Sequence, residues 1–305
     1  MKKIVVDGAT SMIGVSTIET AIEKGTEVYA IVRNNTKRID RLPHSNLLRV
    51  VHGSLDDLKS ISDIPGDIDV YYHFAWDGTS KDDRNNPFIQ EKNIEYTLDA
   101  VDLARRCGCK KFIGAGSQAE YGPCETAINN NTPFAPQTSY GIAKYASGQL
   151  SRKLCEQYGI NHVWARVFSI YGRFDNDGTM LSYAIDRFLK GEVAHFSQGT
   201  QRWNYLNERD TGMIFYLLGC VDGCRGEYRI ANTYSKPLRE FILELAGFMG
   251  TLELCDFAKS NNSIQAYGID TLDENLFETI SYWPRISFED GIKEMIEERK
   301  RHIQL

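Results

Sequence analysis

The sequence predicts a doubly wound parallel α/β sheet followed by a smaller mixed α/β C-terminal lobe. Three observations carry this. Short β-rich apolar runs alternate with helical patterns through the first half; the first run opens directly into a glycine turn; and the rhythm breaks beyond about residue 169. A chain of 305 residues is long enough for a core domain with a second lobe. The expected division is 1–168 for the sheet domain and 169–305 mainly for the lobe, with room for the chain to cross back to the first domain.

The predicted strands cover 3–7, 27–33, 47–51, 69–74, 110–115 and 162–168. Each is a short apolar run set between helical stretches, as βαβ units require. In the helix predicted over 87–107, Ile94, Leu98 and Val101 recur at helical spacing, so one stripe packs on the sheet while Glu91, Lys92 and Arg105 stay in water. A second helix is predicted over 139–158. Helices over 179–190, 208–220 and 236–249 follow, with short strands such as 228–231 among them. The last helix opens on Ser287 and Asp290 in a capping-box pattern, carries Ile292, Met295 and Ile296 on one stripe, and ends in Lys300, Arg301 and His302. No repeat or linker interrupts the chain, so the two parts are expected to share one packed interface.

Composition narrows the function. Lys and Arg number 35 against 41 Asp and Glu, a net charge of -6, so a general attraction to nucleic acid or anionic membrane is absent and any bound phosphate needs a local site. The basic start runs into apolar residues that Asp7 and Gly8 end too early for a signal peptide, and the longest apolar stretch, around 213–221, is too short to cross a bilayer. The expected location is cytoplasmic. Seven scattered cysteines without a Cys-x-x-Cys pair read as reduced thiols, with no metal site.

The first strand leads into Gly8-Ala9-Thr10-Ser11-Met12-Ile13-Gly14 and then a helix. That order offers backbone N–H groups at a helix N-terminus to a pyrophosphate, with the helix dipole favouring its charge. Gly8 permits the tight turn, Gly14 lets helix and strand approach, and Ser11 stands where a middle glycine is usual. At the end of the second strand an NAD site places Asp or Glu against the ribose 2′-hydroxyl. This chain has Arg33, then Asn34, Lys37 and Arg38. A carboxylate repels a 2′-phosphate and these cations attract it, so NADP(H) is the expected cofactor, with NAD the other choice.

Tyr140 and Lys144 stand four residues apart at the start of a helix, so both project from one face. An ammonium beside a phenol stabilises phenolate and lowers the tyrosine pKa, which suits proton exchange with a hydroxyl or carbonyl. The strand over 110–115 runs into Gly116-Ser117-Gln118-Ala119-Glu120-Tyr121-Gly122, which brings the Ser117 hydroxyl to the carboxyl edge of the sheet, where ligands of doubly wound folds bind. Ser117 can bond the oxygen that Tyr140 protonates.

These motifs resemble the extended short-chain dehydrogenase/reductases, the NAD-dependent epimerase/dehydratase group acting on nucleotide sugars. The likeness covers nearly the whole chain: the glycine turn, Tyr72-His73-Phe74-Ala75, Asn93, Ser117 to Gly122, Tyr140 to Lys144, Arg166 to Gly172, Gly199 to Asp210 and Trp283 to Ser287. It implies a Rossmann-like domain carrying a Ser117, Tyr140 and Lys144 triad, and a lobe gripping a nucleotide diphosphate. Phe74, Ala75, Trp76, Asn93 and Val167 are then expected around the cofactor, and Trp76, Gln118, Ala119 and Ser169 around the sugar. An arginine that relatives use near Gln201 to clamp phosphate aligns with Trp203, with Arg202 one residue earlier. Arg202 clamping the diphosphate and Trp203 stacking on a base stand beside the plainer roles of solvated cation and buried aromatic. A homodimer through the helices over 87–107 and 139–158 is also implied.

Departures from the pattern choose among members. The 4,6-dehydratases carry an Asp-Glu pair after the catalytic hydroxyl, where this chain has Gln118-Ala119, so dehydration lacks its proton shuttle. The epimerase-reductases that make GDP-fucose place a cysteine where Ala119 stands. What survives is reduction of a C4 keto group or C4 epimerisation, and Arg33 favours reduction by NADPH. The Gly-Ser-Gln-Ala-Glu-Tyr-Gly wording is similar to 4-keto-deoxysugar reductases such as CDP-abequose synthase. A non-catalytic NADP-binding regulator is a more distant alternative, opposed by the Tyr140 and Lys144 pair, and an RNA-associated role is opposed by the acidic balance.

Overall fold

A computed structural model describes residues 1–80, 82–259 and 270–303, apart from the side chains of His302 and Ile303. The strands are β1 (Lys3–Asp7), β2 (Glu27–Val32), β3 (Leu48–His52), β4 (Val70–His73), β5 (Lys111–Ser117), β6 (Asn161–Val167), β7 (Ser169–Tyr171), β8 (Ala194–Phe196), β9 (Arg202–Trp203), β10 (Tyr205–Asn207), β11 (Gly226–Ile230), β12 (Lys236–Pro237) and β13 (Cys255–Phe257). The helices are α1 (Met12–Glu23), α2 (Pro87–Arg106), α3 (Ser139–Tyr158), α4 (Met180–Leu189), α5 (Glu208–Cys220), α6 (Leu238–Met249), α7 (Glu274–Ile280) and α8 (Phe288–Ile303).

Seven strands form one parallel sheet in the order β11-β6-β5-β4-β1-β2-β3. After β3 the chain returns to the other side of β1, which leaves a crevice beyond the carboxyl ends of β1 and β4, where such folds bind ligands. The strands agree with the sequence reading to within a residue or two. β5 runs further, because Gly116 and Ser117 keep register with Arg166 and Val167 of β6.

Both faces of the sheet are covered, as parallel strands require. On one face Val15 and Ile18 of α1 pack with Ile214 and Phe215 of α5 over Ile4, Val6 and Val28. On the other, Ala100 and Val101 of α2 and Cys155 of α3 cover Val5, Tyr71 and Phe112. Full burial of a side chain of this size contributes roughly 1.5–3 kcal/mol.

The chain crosses back after residue 169. The Ser16 hydroxyl of α1 donates to the Glu208 carbonyl at 2.7 Å, and β11 pairs parallel with β6 from Gly226 against Val163 to Ile230 against Val167. A parallel edge strand needs a crossover helix, and α5 supplies it. The remaining elements form the lobe, where α4, α6 and α8 close around Leu181, Phe241 and Ile292. At the head of α8, Asp290 donates its N–H to the Ser287 hydroxyl at 3.1 Å, and that hydroxyl donates to the Asp290 carboxylate at 2.7 Å. No helix among the described residues is long and apolar enough to cross a membrane.

Candidate active site

The crevice is built on Asp7, buried at the end of β1. Its Oδ1 accepts from the N–H groups of Phe74 (2.7 Å) and Ala75 (2.8 Å), and its Oδ2 meets His73 Nδ1 at 2.6 Å. This ties the exit of β4 to the glycine turn. Gly8 adopts φ +61°, and a Cβ there would lie 2.5 Å from the Ala75 nitrogen, so glycine alone fits. A side chain on Gly14 would run into the Gly8 carbonyl oxygen. Ser11 caps α1 by accepting from the Gly14 N–H at 3.1 Å, so the missing middle glycine leaves the turn open.

A cavity of about 490 Å³ lies over this turn, a normal size for a small-molecule site. Gly8, Thr10, Ser11 and Met12 line it from the turn, Arg33 and Arg38 from beyond β2, and Phe74, Ala75 and Trp76 from beyond β4. The bare backbone at Gly8 and the N-terminus of α1 fit a pyrophosphate. Arg41, which sequence reasoning passed over, also lines the cavity; it stacks on Phe174 at 4.6 Å, and Phe174 holds a left-handed φ of +63°. Its sequence signal was a third arginine after Arg33 and Arg38.

Seven residues expected at the cofactor lie outside this lining: Ile13, Gly14, Asn34, Asn93, Tyr140, Lys144 and Val167. Ile13 and Val167 pack on the apolar core, since both follow its hydrophobic stripe. Asn34 is exposed to solvent outside the cavity lining. Asn93 is buried and works as a clamp: its Oδ1 accepts from Asp77 N–H at 2.8 Å and its Nδ2 donates to the Asp77 carbonyl at 3.0 Å.

At the end of β5 the Ser117 N–H donates to Glu120 Oε1 at 2.8 Å, and the Ser117 hydroxyl accepts from Ala119 N–H at 3.2 Å. Glu120 is fully buried and also accepts from Trp164 Nε1 (3.0 Å) and Arg166 Nε (2.6 Å). This carboxylate sets the Ser117 turn, and its sequence signal was the capping-box spacing from Ser117. The helix with Tyr140 and Lys144 opens on Thr138, which accepts from Gly141 N–H at 3.0 Å. Ser117, at the end of β5, stands beside this helix.

Lys144 departs from the expected geometry. Its Nζ donates to the Ala115 carbonyl at 2.7 Å and lies 3.6 Å from the centre of the Trp76 ring, against 5.9 Å for Tyr140. Burial lowers its pKa to about 7. Burial also pushes the Tyr140 phenol up, with Arg84 and Ser117 pulling the other way. The expectation that Lys144 makes this phenol acidic is therefore not met in this arrangement, because the ammonium is spent on Ala115 and Trp76. Trp76 donates from Nε1 to Gln90 Oε1 at 2.9 Å and meets Tyr140 edge-on at 5.9 Å. Trp76 lines the cavity while Ser117, Tyr140 and Lys144 do not, so the indole stands between them.

Residues 4–219 match the model of the NAD dependent epimerase/dehydratase family. The chain belongs to that family. It is similar to a putative UDP-glucose 4-epimerase of Methanocaldococcus jannaschii, 23% identical over 96% of this chain and 97% of the relative. Among solved structures it is similar to the UDP-N-acetylglucosamine 4-epimerase of Methanobrevibacter ruminantium in complex with UDP-N-acetylmuramic acid (TM-score 0.87, 19% identity, 99% of each chain). It is also similar to the UDP-glucuronic acid 4-epimerase of Bacillus cereus in complex with NAD (TM-score 0.85, 19% identity, 99% of this chain and 98% of that one).

As a member of the epimerase/dehydratase family the chain was expected to grip its ligand from the second lobe, and here the side chains are already engaged. Arg202 Nε donates to Asp270 Oδ2 at 3.0 Å and to the Ser235 hydroxyl at 3.1 Å, so it is not a free phosphate clamp. Trp203 is half-buried against Tyr205, and its indole N–H is buried without a partner. Ser169 lies in β7, paired with Tyr205 of β10. Gln118 has a buried, unpartnered Oε1 beside Ser117. Among the described residues no group of three or more His, Cys, Asp or Glu could hold a metal.

Proposed function

We propose that this protein is an NADPH-dependent reductase of the C4 keto group of a nucleotide-diphospho-4-keto-6-deoxyhexose. One observation carries the reading: Ser117 ends β5 beside the helix that carries Tyr140, and the two positions after it hold Gln118 and Ala119, without the acid and base that dehydration needs. A nicotinamide dinucleotide bound along the crevice would supply the hydride exchanged with the sugar carbon. The chain's own residues do the rest. The Ser117 hydroxyl polarises the C4 carbonyl, Tyr140 gives its proton to the carbonyl oxygen, and Lys144, once released from Trp76, holds the ribose. Arg33 and Arg38 at the cavity support NADPH over NADH.

A second reading, 4-epimerisation with retained NAD, is favoured by the family members described above as 4-epimerases and by the NAD in the Bacillus cereus structure. Both readings make the protein an enzyme acting on nucleotide sugars. We further propose a cytoplasmic homodimer through α2 and α3, supported by Phe88, Ile142 and Leu150, which are 79%, 53% and 46% exposed on those helices.

The test is oxidation of NADPH in the presence of CDP- or dTDP-4-keto-6-deoxyglucose, with Tyr140→Phe as the control. Net oxidation that disappears in Tyr140→Phe supports the reductase. Interconversion of C4 epimers without added cofactor, together with NAD released on denaturation, replaces it with the epimerase. No turnover of any nucleotide sugar removes both.

A further inference from the structure

The candidate catalytic phenol is faced by a cation from outside its own helix. Arg84 lies in a short turn, Asp83–Asn85, between β4 and α2. Gln90 of α2 donates from Nε2 to the carbonyls of Gly78 (2.8 Å) and Asp83 (3.1 Å). Ser139, the first residue of α3, donates its N–H to Asn85 Oδ1 and its hydroxyl to the Asn85 carbonyl, both at 3.3 Å. With the turn held from two helices, the Arg84 guanidinium carbon sits 4.1 Å from the centre of the Tyr140 ring. The side chain is exposed, and among the described residues it makes no salt bridge.

Two cations compete to act on this ring. Lys144 is further, at 5.9 Å, is bound to the Ala115 carbonyl, and with a pKa of about 7 is only partly charged near neutrality. Arg84 is nearer. The other groups that act on the phenol are Ser117, which favours its ionisation, and Glu120, which opposes ionisation but is paired with Arg166 at 2.6 Å. Asp7 acts on Lys144 from the β1 side.

We propose that Arg84 is a positioning residue for Tyr140, holding the ring and supplying the positive field that makes the phenol an effective acid. In the reductive direction the phenol O–H bond breaks, the proton goes to the C4 oxygen, and the electron pair stays on Tyr140 as phenolate, which water reprotonates. A guanidinium over the ring stabilises that charge as it forms. This rests on the reading of Tyr140 as the acid.

The phenol can be read without turnover. In protein labelled with ¹³C at the tyrosine ring carbon bearing the hydroxyl, the Tyr140 signal, assigned by its loss in Tyr140→Phe, is titrated by NMR. Arg84→Met is expected to raise the midpoint by about one pH unit and Arg84→Lys by clearly less. In turnover, the high-pH limb of kcat, where activity is lost as the phenol ionises, moves up with it, while KM for the sugar changes less than about threefold. A midpoint unmoved in a folded Arg84→Met protein overturns the proposal, as does a loss confined to KM, which makes Arg84 a substrate ligand. A midpoint that moves in a protein turning over no nucleotide sugar upholds the electrostatic role and rejects the proposed substrate.

Discussion

The Lys144 ammonium rests 3.6 Å from the centre of the Trp76 ring, closer than to the Tyr140 ring it accompanies on α3. A cation over an indole gains roughly 0.5–2 kcal/mol, and more of this is kept where water is excluded. A ribose hydroxyl approaching Lys144 would meet that contact. Addition of NADPH to the free protein is therefore expected to change tryptophan emission, with most of the change absent in Trp76→Phe. Equal changes in both proteins would mean that the indole stays where it is.

Lys144 also makes stability depend on pH. It is 4% exposed, and burial lowers its pKa to about 7 from the ordinary lysine value. Between pH 7 and about 10.5 the unfolded chain binds more protons than the folded one, so stability rises with pH through that window; below pH 7 the full cost of burial is present. Lys144→Met is expected to stabilise the cofactor-free protein by a few kcal/mol at pH 6, less the roughly 1 kcal/mol of the lost bond to Ala115. The gain shrinks toward pH 10, and activity is lost throughout. Urea unfolding at pH 6 and pH 9 measures it, and a gain that is larger at pH 9 contradicts the assignment.

How much of this was legible in the sequence follows from locality. The glycine turn, the Ser117 strand end and the Tyr140 helix were readable because each is a short segment whose backbone need is written in adjacent residues, such as the positive φ of Gly8. The roles of Asn93, Arg202 and Lys144 depended on partners far along the chain: Asp77, Asp270 and Trp76. No local period encodes such pairings. The same holds for β11, whose place beside β6 depends on α5 packing on α1, and for Arg84, whose approach to Tyr140 follows from the bonds between Asn85 and Ser139.

Glu120 and Arg166 form an ion pair at 2.6 Å with both side chains almost fully buried, and Glu120 also holds the Ser117 N–H. Removing one partner of a buried pair typically costs about 3–5 kcal/mol, and here Glu227, 2.8 Å from Arg166 Nη1, keeps part of the compensation. Glu120→Gln is expected to lower the thermal midpoint and, at a temperature where it remains folded, to reduce kcat more than it raises KM, because the amide holds the Ser117 N–H more weakly than a carboxylate and turns a donor toward Arg166. Denaturant unfolding and steady-state kinetics together check this. A stable variant with unchanged kcat would show that Ser117 is held by its other contacts.

Arg33 and Arg38 line the cavity over the glycine turn where a carboxylate would stand in a site reading a ribose 2′-hydroxyl. A 2′-phosphate there would make charge-assisted hydrogen bonds, each worth about 1.5–3 kcal/mol, and a bare hydroxyl would gain little from either cation. Replacing both by alanine is therefore expected to weaken NADPH binding about 10- to 100-fold while NADH changes less than about threefold. Because the two side chains are exposed, the NADPH preference should also fall as salt is raised, and this salt dependence should be absent in the double variant. Calorimetric titration of both nucleotides at low and high ionic strength reads all of these quantities. Equal losses for NADPH and NADH would assign the two arginines to the shared part of the dinucleotide and withdraw the argument for a consumed reductant. An unchanged preference would shift the choice toward Arg41, the remaining arginine of the cavity lining.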